Sequence, residues 1–170
     1  MNKIWCIIVR NRIRPVTITG DIKQAFHQIR IREEDRDALR FHWITDTDSC
    51  TRTILRFTRA VMGVTQSPFL LCGVLDHHLN TYNEDPRQDI IDTLKDDIYV
   101  DDVIGGAYSI IDAQKFKSVA TDILGDATFH LHKWHSNVLE LEDNQKDPDH
   151  SAVLGVSWDK RLDTFAVKFP

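Results

Sequence analysis

Two adjacent aspartates, Asp101 and Asp102, stand between short runs of strand-forming residues in the segment DIYVDDVIGG at 97–106. Ile98, Tyr99 and Val100 precede the pair, Val103 and Ile104 follow it, and Gly105-Gly106 ends the run. The pattern predicts a tight β-hairpin with two carboxylates at its tip. Like charges this close are costly unless a cation sits beside them. Hard cations such as Mg2+ are held by one or two carboxylates together with substrate phosphates. A solvated turn carries the same signature, so the pair alone leaves both readings open.

A third carboxylate, Asp21, ends an alternating apolar strand in VTITGDIKQAFHQ at 16–28, ahead of a turn carrying Ala25 and Phe26. MGVTQSPFL at 62–70 reads as a turn around Gly63 leading into a helix start. His130, His132 and His135 form a second cluster, and His-x-His spacing puts two imidazoles on one strand face, as zinc ligands often are. No cysteine lies nearby and Lys133 would oppose a cation, so zinc is disfavoured. His77-His78 reads as surface or core. No Walker loop, Ser-His-Asp set or His-Glu-x-x-His motif is present.

The elements that must position these residues are legible in outline. The N-terminal run IWCIIVR reads as a strand or the end of a helix. Residues 29–32 continue extended, and Glu33-Glu34-Asp35 opens a short helix by placing negative charge in its first turn. Leu39 to Ile44 and Thr53 to Phe57 read as two strands joined by the polar turn DTDSCT. Ser67 is expected to cap a helix with Pro68 at its first position, and Phe69, Leu70, Val74, Leu75 and Leu79 to make its apolar face. Pro86 starts another helix with Ile90, Ile91 and Leu94 inward. After the hairpin, Ser109 and Asp112 make a capping-box-like pair before a helix to Leu124, with Gly125 as its left-handed stop. Phe129, Leu131 and Lys133 alternate along a further strand. A polar loop at 140–151 then leads to two strands near 152–158 and 162–169. Such an order of strand, helix, hairpin, helix and strand predicts an α+β fold of the split βαβ type.

At 170 residues and 42% hydrophobic content, the chain suits one domain with a real core. No run of 18 apolar residues appears, so no transmembrane helix and no membrane partner are expected, and the short N-terminal apolar run lacks a small-residue cleavage site. Cys6, Cys50 and Cys72 show no C-x-x-C spacing, which favours reduced thiols in an intracellular protein, cytoplasmic or nuclear. The net charge of −5 conceals an asymmetry. Residues 1–60 hold 12 Lys and Arg against 7 Asp and Glu, a balance of +5; residues 61–170 hold 9 against 19, a balance of −10. The basic residues of the first third are mostly arginine, which suits bidentate phosphate contacts, although a solvated basic face has the same composition.

In order along the chain, GDIKQAF at 20–26, MGVTQSPF at 62–69 and YVDD at 99–102 resemble the palm motifs of reverse transcriptases. LHKWHSN at 131–137 and LGVSWD at 154–159 resemble the two later motifs of that family, and DIKQAFHQI, LRFHW, QSPFLL and KWHSN are most similar to the Pao/BEL group of LTR retrotransposons. The resemblance spans about residues 10–160. It implies a polymerase palm at about 10–28 and 61–138, a partial fingers insertion at about 29–60 and a primer-grip-like hairpin at about 152–169, all in one domain. It implies RNA-directed DNA polymerase activity with two Mg2+ or Mn2+ ions held by Asp21, Asp101 and Asp102. Lys133 would protonate departing pyrophosphate. Phe26 would be the steric gate against a 2′ hydroxyl, with Ala25 beside it, and Gly63, Gln66 and Ser67 would meet the incoming nucleotide and template. Leu154, Gly155 and Trp158 would grip the primer. The implied partners are a primed RNA or DNA template and deoxynucleoside triphosphates.

The same comparison implies what is missing. The family's upstream fingers hairpin, thumb, connection, RNase H, protease and integrase have no counterpart here, so the expectation is a palm-centred fragment of weak activity. An inactive transposon-derived remnant, acting at most as a nucleic-acid-binding or structural module, is the alternative. A nucleotide cyclase of like topology is disfavoured, because such enzymes lack the M-G-x-x-Q-S-P turn and the Phe gate.

Overall fold

A computed structural model of the chain describes residues 3–143 and 150–166. Its fold is mixed α+β with antiparallel sheets, and the chain divides into two compact units, Met1–Lys23 with Leu75–Pro170 and Gln24–Val74. The smaller unit is wider than the insertion expected at 29–60.

In the larger unit, helix α1 (Ile4–Ile13) leads into strand β1 (Val16–Ile22). The N-terminal run is thus a full helix, with Ile7 and Asn11 buried. Helix α4 (Gln88–Asp97) turns Ile90, Ile91 and Leu94 inward and feeds a hairpin of β4 (Ile98–Tyr99) and β5 (Asp102–Ala107). Helix α5 (Ile110–Asp126) follows, its first turn capped as expected: the Ser109 hydroxyl accepts from the Asp112 amide at 3.1 Å. Gly125 is not its left-handed stop; it lies inside the last turn, and Thr128 takes the positive φ of 66°. Strand β6 (Leu131–Ser136) completes a four-stranded sheet in the order β4-β5-β1-β6.

Alternation along the strands sorts the two faces of this sheet. Val103 and Gly105 of β5 face α5, where Phe116 lies, so Gly105-Gly106 continues the strand instead of ending it. A Cβ on Gly105 would stand 2.5 Å from the Phe116 ring, which is why only glycine fits. Ile104 faces the other way, into a cluster with Ile7 of α1, Val153 and Trp158. Asp102 shares that face with Ile104.

The expected strand at 152–158 is broken. Strand β7 (His150–Val153) pairs with β8 (Val156–Asp159) through the two-residue turn Leu154-Gly155, both with positive φ, and β8 pairs in turn with β9 (Thr164–Ala166). Positive φ at both central positions matches the right-handed twist of a hairpin. The rest of the expected second strand, 167–169, lies outside the described residues, as do 144–149 of the polar loop. The start of that loop is not solvated: Leu139–Leu141 makes a 3-10 turn, and the Glu142 side chain is buried against Lys160 at 2.7 Å.

The smaller unit holds a short helix, α2 (Ala25–Gln28), a 3-10 helix (Glu33–Leu39) and the hairpin of β2 (Arg40–Asp46) and β3 (Thr51–Arg56). Its last residues begin helix α3 (Ser67–Asn80), which ends in the larger unit. Ser67 does not cap α3; it lies within the helix and its hydroxyl donates to the Val61 carbonyl at 2.7 Å. The buried stripe of α3 is Leu71, Leu75 and Leu79, while Phe69, Leu70 and Val74, expected inward, are exposed. A stripe at i, i+4, i+8 follows the 3.6-residue period more closely than the expected set. No helix among the described residues is long and apolar enough to cross a membrane.

Candidate active site at the hairpin tip

Three chain segments of the larger unit bring ionisable groups to one end of the four-stranded sheet. In the antiparallel register Asp21 of β1 lies opposite Asp102 of β5 on one side and opposite His132 of β6 on the other. Asp101 occupies the turn between Tyr99 and Asp102, which pair across the hairpin, and its carbonyl accepts from the Ile22 amide at 2.8 Å. Strand pairing therefore sets Asp21 beside Asp102, with Asp101 in the adjoining turn. Val100 begins the turn with φ 57°. A β-branched residue is costly there, on the order of 1–3 kcal/mol, and such strain persists only where surrounding pairing holds it.

Like charges directly opposite on neighbouring strands destabilise a sheet, and Asp102 carries the consequence. Burial first, then the charges of Asp101 and Asp21, push its carboxyl up to about 6, against a partial offset from Lys133. The site thus has an excess of negative charge that its own cations do not balance.

Strand β6 supplies the partners of Asp21 by an irregularity. The register slips between Thr19, opposite His135, and Asp21, opposite His132, and Lys133 takes φ 52°. A bulge of this kind re-aims side chains that would otherwise alternate. His132 Nε2 lies 2.7 Å from Asp21 Oδ1, Lys133 Nζ lies 3.5 Å from Asp21 Oδ2, and Trp134 is buried with the Lys117 ammonium over its ring. His132 is the residue the sequence reading missed. Its signal was the His-x-His spacing, set aside because it was weighed only as a zinc motif.

A cavity of about 160 Å³ opens at the carboxylates, lined by Asp21, Asp102, Lys133 and His135, with Val153 and Leu154 on its far wall. Burial first, then the Lys160 ammonium, lower the His135 pKa, with a partial offset from Glu142 and Asp143. Of the residues matched to a primer grip, Leu154 lines this cavity, and Gly155 completes the turn beside it. Trp158 does not reach it: the ring is fully buried, and its indole N–H donates to Asp163 at 3.1 Å.

Within the smaller unit, Ala25 and Phe26 of α2 are buried, Gly63 has φ 86°, Gln66 is exposed and Ser67 is buried. The arginines of the first third are less available than their number implies. Arg10 pairs with Asp96 and Asp97, Arg12 with Asp163 at 2.6 Å, and Arg14 with Asp97, while Arg40 and Arg56 both pair with Asp37. Asp37 is accordingly held below the usual carboxylate range by those two guanidinium groups.

The donor chemistry at the hairpin tip fits a hard divalent cation: carboxylate oxygens from two strands, excess negative charge, and a polar opening beside them. Among the described residues, no group of three or more His, Cys, Asp or Glu side chains is placed to hold a metal ion. Compared with known proteins, the chain matches no family model and no curated protein significantly.

Proposed function

We propose that this chain is the palm-centred part of a reverse transcriptase, acting in templated transfer of deoxynucleotides to a primer 3′ hydroxyl. The observation that carries the reading is the direct pairing of Asp21 with Asp102, with Asp101 in the adjoining turn. The sheet order β4-β5-β1-β6 with its helices supports a palm of split βαβ type. Asp21, Asp101 and Asp102 would hold two Mg2+ or Mn2+ ions, which when bound supply charge stabilisation for the attacking and leaving oxygens.

The residues of the larger unit have three tasks. Asp21 and Asp102 present oxygens from two rigid strands, so their spacing is set by backbone pairing. Lys133, more than half exposed beside Asp21, is placed to deliver a proton to a departing pyrophosphate oxygen. The cavity wall at Val153 and Leu154 gives a primer terminus an apolar surface to rest against. Phosphoryl transfer depends mainly on positioning and electrostatics, so these residues would act chiefly by placing the reacting groups.

The test is single-nucleotide addition to a labelled DNA primer on an RNA template, with the chain in excess and Mn2+ present. Slow, template-directed addition is expected, with Mn2+ bound by the wild type, and both lost in Asp21→Asn and Asp102→Asn. A chain that neither binds Mn2+ nor adds a nucleotide refutes the reading.

A further inference from the structure

We propose that His132 is a positioning residue for the Asp21 carboxylate, fixing one oxygen so that the other is presented to a divalent cation; this rests on the metal-site reading above. The two oxygens of Asp21 have different partners. Oδ1 lies 2.7 Å from His132 Nε2, within good hydrogen-bond distance, and the two residues are cross-strand partners, so backbone pairing holds both ends. Among the described residues Oδ2 is met by Lys133 Nζ at 3.5 Å, and the lysine side chain is 58% exposed. That contact is long, screened by water and easily exchanged.

The asymmetry has a structural cause in the bulge at Lys133. In a regular strand His132 and Lys133 would point to opposite faces, and only one would reach Asp21. The slipped register lets both reach it, the shorter and stiffer imidazole at Oδ1 and the flexible ammonium at Oδ2. A cation entering the cavity displaces the lysine from Oδ2 and leaves the imidazole in place. With an acceptor oxygen against Nε2, the imidazole carries its proton on that nitrogen and donates it. A ligating carboxylate oriented by such a donor keeps its rotamer, and loss of partners of this kind typically lowers metal affinity by roughly 10–100-fold.

The experiment measures Mn2+ binding to the purified 170-residue chain by the electron paramagnetic resonance signal of free Mn2+. Wild type, His132→Ala and His132→Gln are compared, with urea midpoints to show that each is folded. The expected result is a loss of about 10-fold or more in His132→Ala and recovery to near wild type in His132→Gln, whose amide N–H can replace the imidazole donor. Unchanged affinity in His132→Ala overturns the inference while leaving the metal site intact. Equal losses in the Ala and Gln variants also overturn it, because the imidazole is then needed for something other than donating a hydrogen bond. A wild-type chain that binds no Mn2+ overturns the metal-site reading, and this inference with it.

Discussion

Asp102→Asn should stabilise the metal-free chain, and its size can be worked from the site. The wild-type carboxyl titrates at about 6 against an ordinary value of 3.8, because it is buried and faces Asp101 and Asp21. Each pH unit between folded and unfolded values is worth about 1.4 kcal/mol. Ionising Asp102 in the folded chain therefore costs up to about 3 kcal/mol, and partial access of water to the turn screens this to roughly 1–2 kcal/mol. The sign follows from linkage: a raised carboxyl contributes stability that is fully present below pH 3.8 and lost as pH rises through 6. Asparagine resembles the neutral acid, so it removes that loss.

Urea unfolding in EDTA, at intervals from pH 4 to 8, reads the difference. The two chains should be alike near pH 4, diverge through pH 5 and 6, and differ by the full amount above pH 7. Mg2+ should then close the gap, because binding at ten times the dissociation constant adds about 1.4 kcal/mol to the wild type alone. Equal stability of the two chains across this range without metal would refute the electrostatic reasoning. A gap that Mg2+ leaves unchanged would refute the cation's place between the carboxylates.

Other expected outcomes test the scaffold. Gly105→Ala should cost about 1–3 kcal/mol in urea unfolding by driving a methyl into the Phe116 ring, and Phe116→Leu in the same chain should recover part of it. Asn11→Leu should cost about 2 kcal/mol, since its amide donates to the Gly105 carbonyl at 2.7 Å and its oxygen accepts from the Thr17 hydroxyl, all in a buried setting. Lys160→Met should cost about 3–5 kcal/mol by stranding the buried Glu142 carboxylate, and Glu142→Gln added to it should restore much of the loss, as measured by the unfolding midpoint.

The strands that carry the aspartates were legible because their signals are local. Alternation of Val16, Ile18 and Ile22 with polar residues fixes β1, and the β-branched runs around the aspartates mark the hairpin, although its two-residue turn is Val100-Asp101 and Asp102, expected at the tip, already belongs to β5. What escaped depends on partners distant in sequence. Nothing in LHKWHS marks Lys133 for a positive φ; the bulge arises because β6 must place Trp134 inward while both flanking residues reach the β1 edge. Leu154-Gly155 passed for strand because leucine seldom starts a two-residue turn, yet Val153 and Trp158 must both enter the same core and only a reversal there allows it. Glu142 fell within the expected polar loop, and only the fold shows Lys160 to be its buried partner. Glycine punctuation misled in the same way: Gly105-Gly106 marks a close approach of backbone to α1 and α5, not a strand end.

Charge composition misled most, and the correction bears on how nucleic acid could be held. Arg10 and Arg14 lie within 3.5 and 3.8 Å of Asp97, whose carboxyl is pushed up to about 6 by burial despite them. Asp97 is the residue immediately before the hairpin that carries Asp101 and Asp102. These arginines therefore stabilise the base of the hairpin, and withdrawing one toward a phosphate would leave a buried carboxylate short of its counter-charge. That exchange is unfavourable unless the phosphate contact exceeds the lost pair, which a solvent-screened contact rarely does. Arg12 is similarly tied to Asp163. In the smaller unit Arg40 and Arg56 share Asp37, while Arg30 and Arg52 have no ion pair among the described residues. Net charge over the first 60 residues thus overstates the positive surface available to a polyanion. Under the proposed function, binding of nucleic acid would rest on a few arginines outside these ion pairs and on neutralisation of the chain's own carboxylates, so cation occupancy at Asp21 and Asp102 would govern both the chemistry and the approach of the substrate.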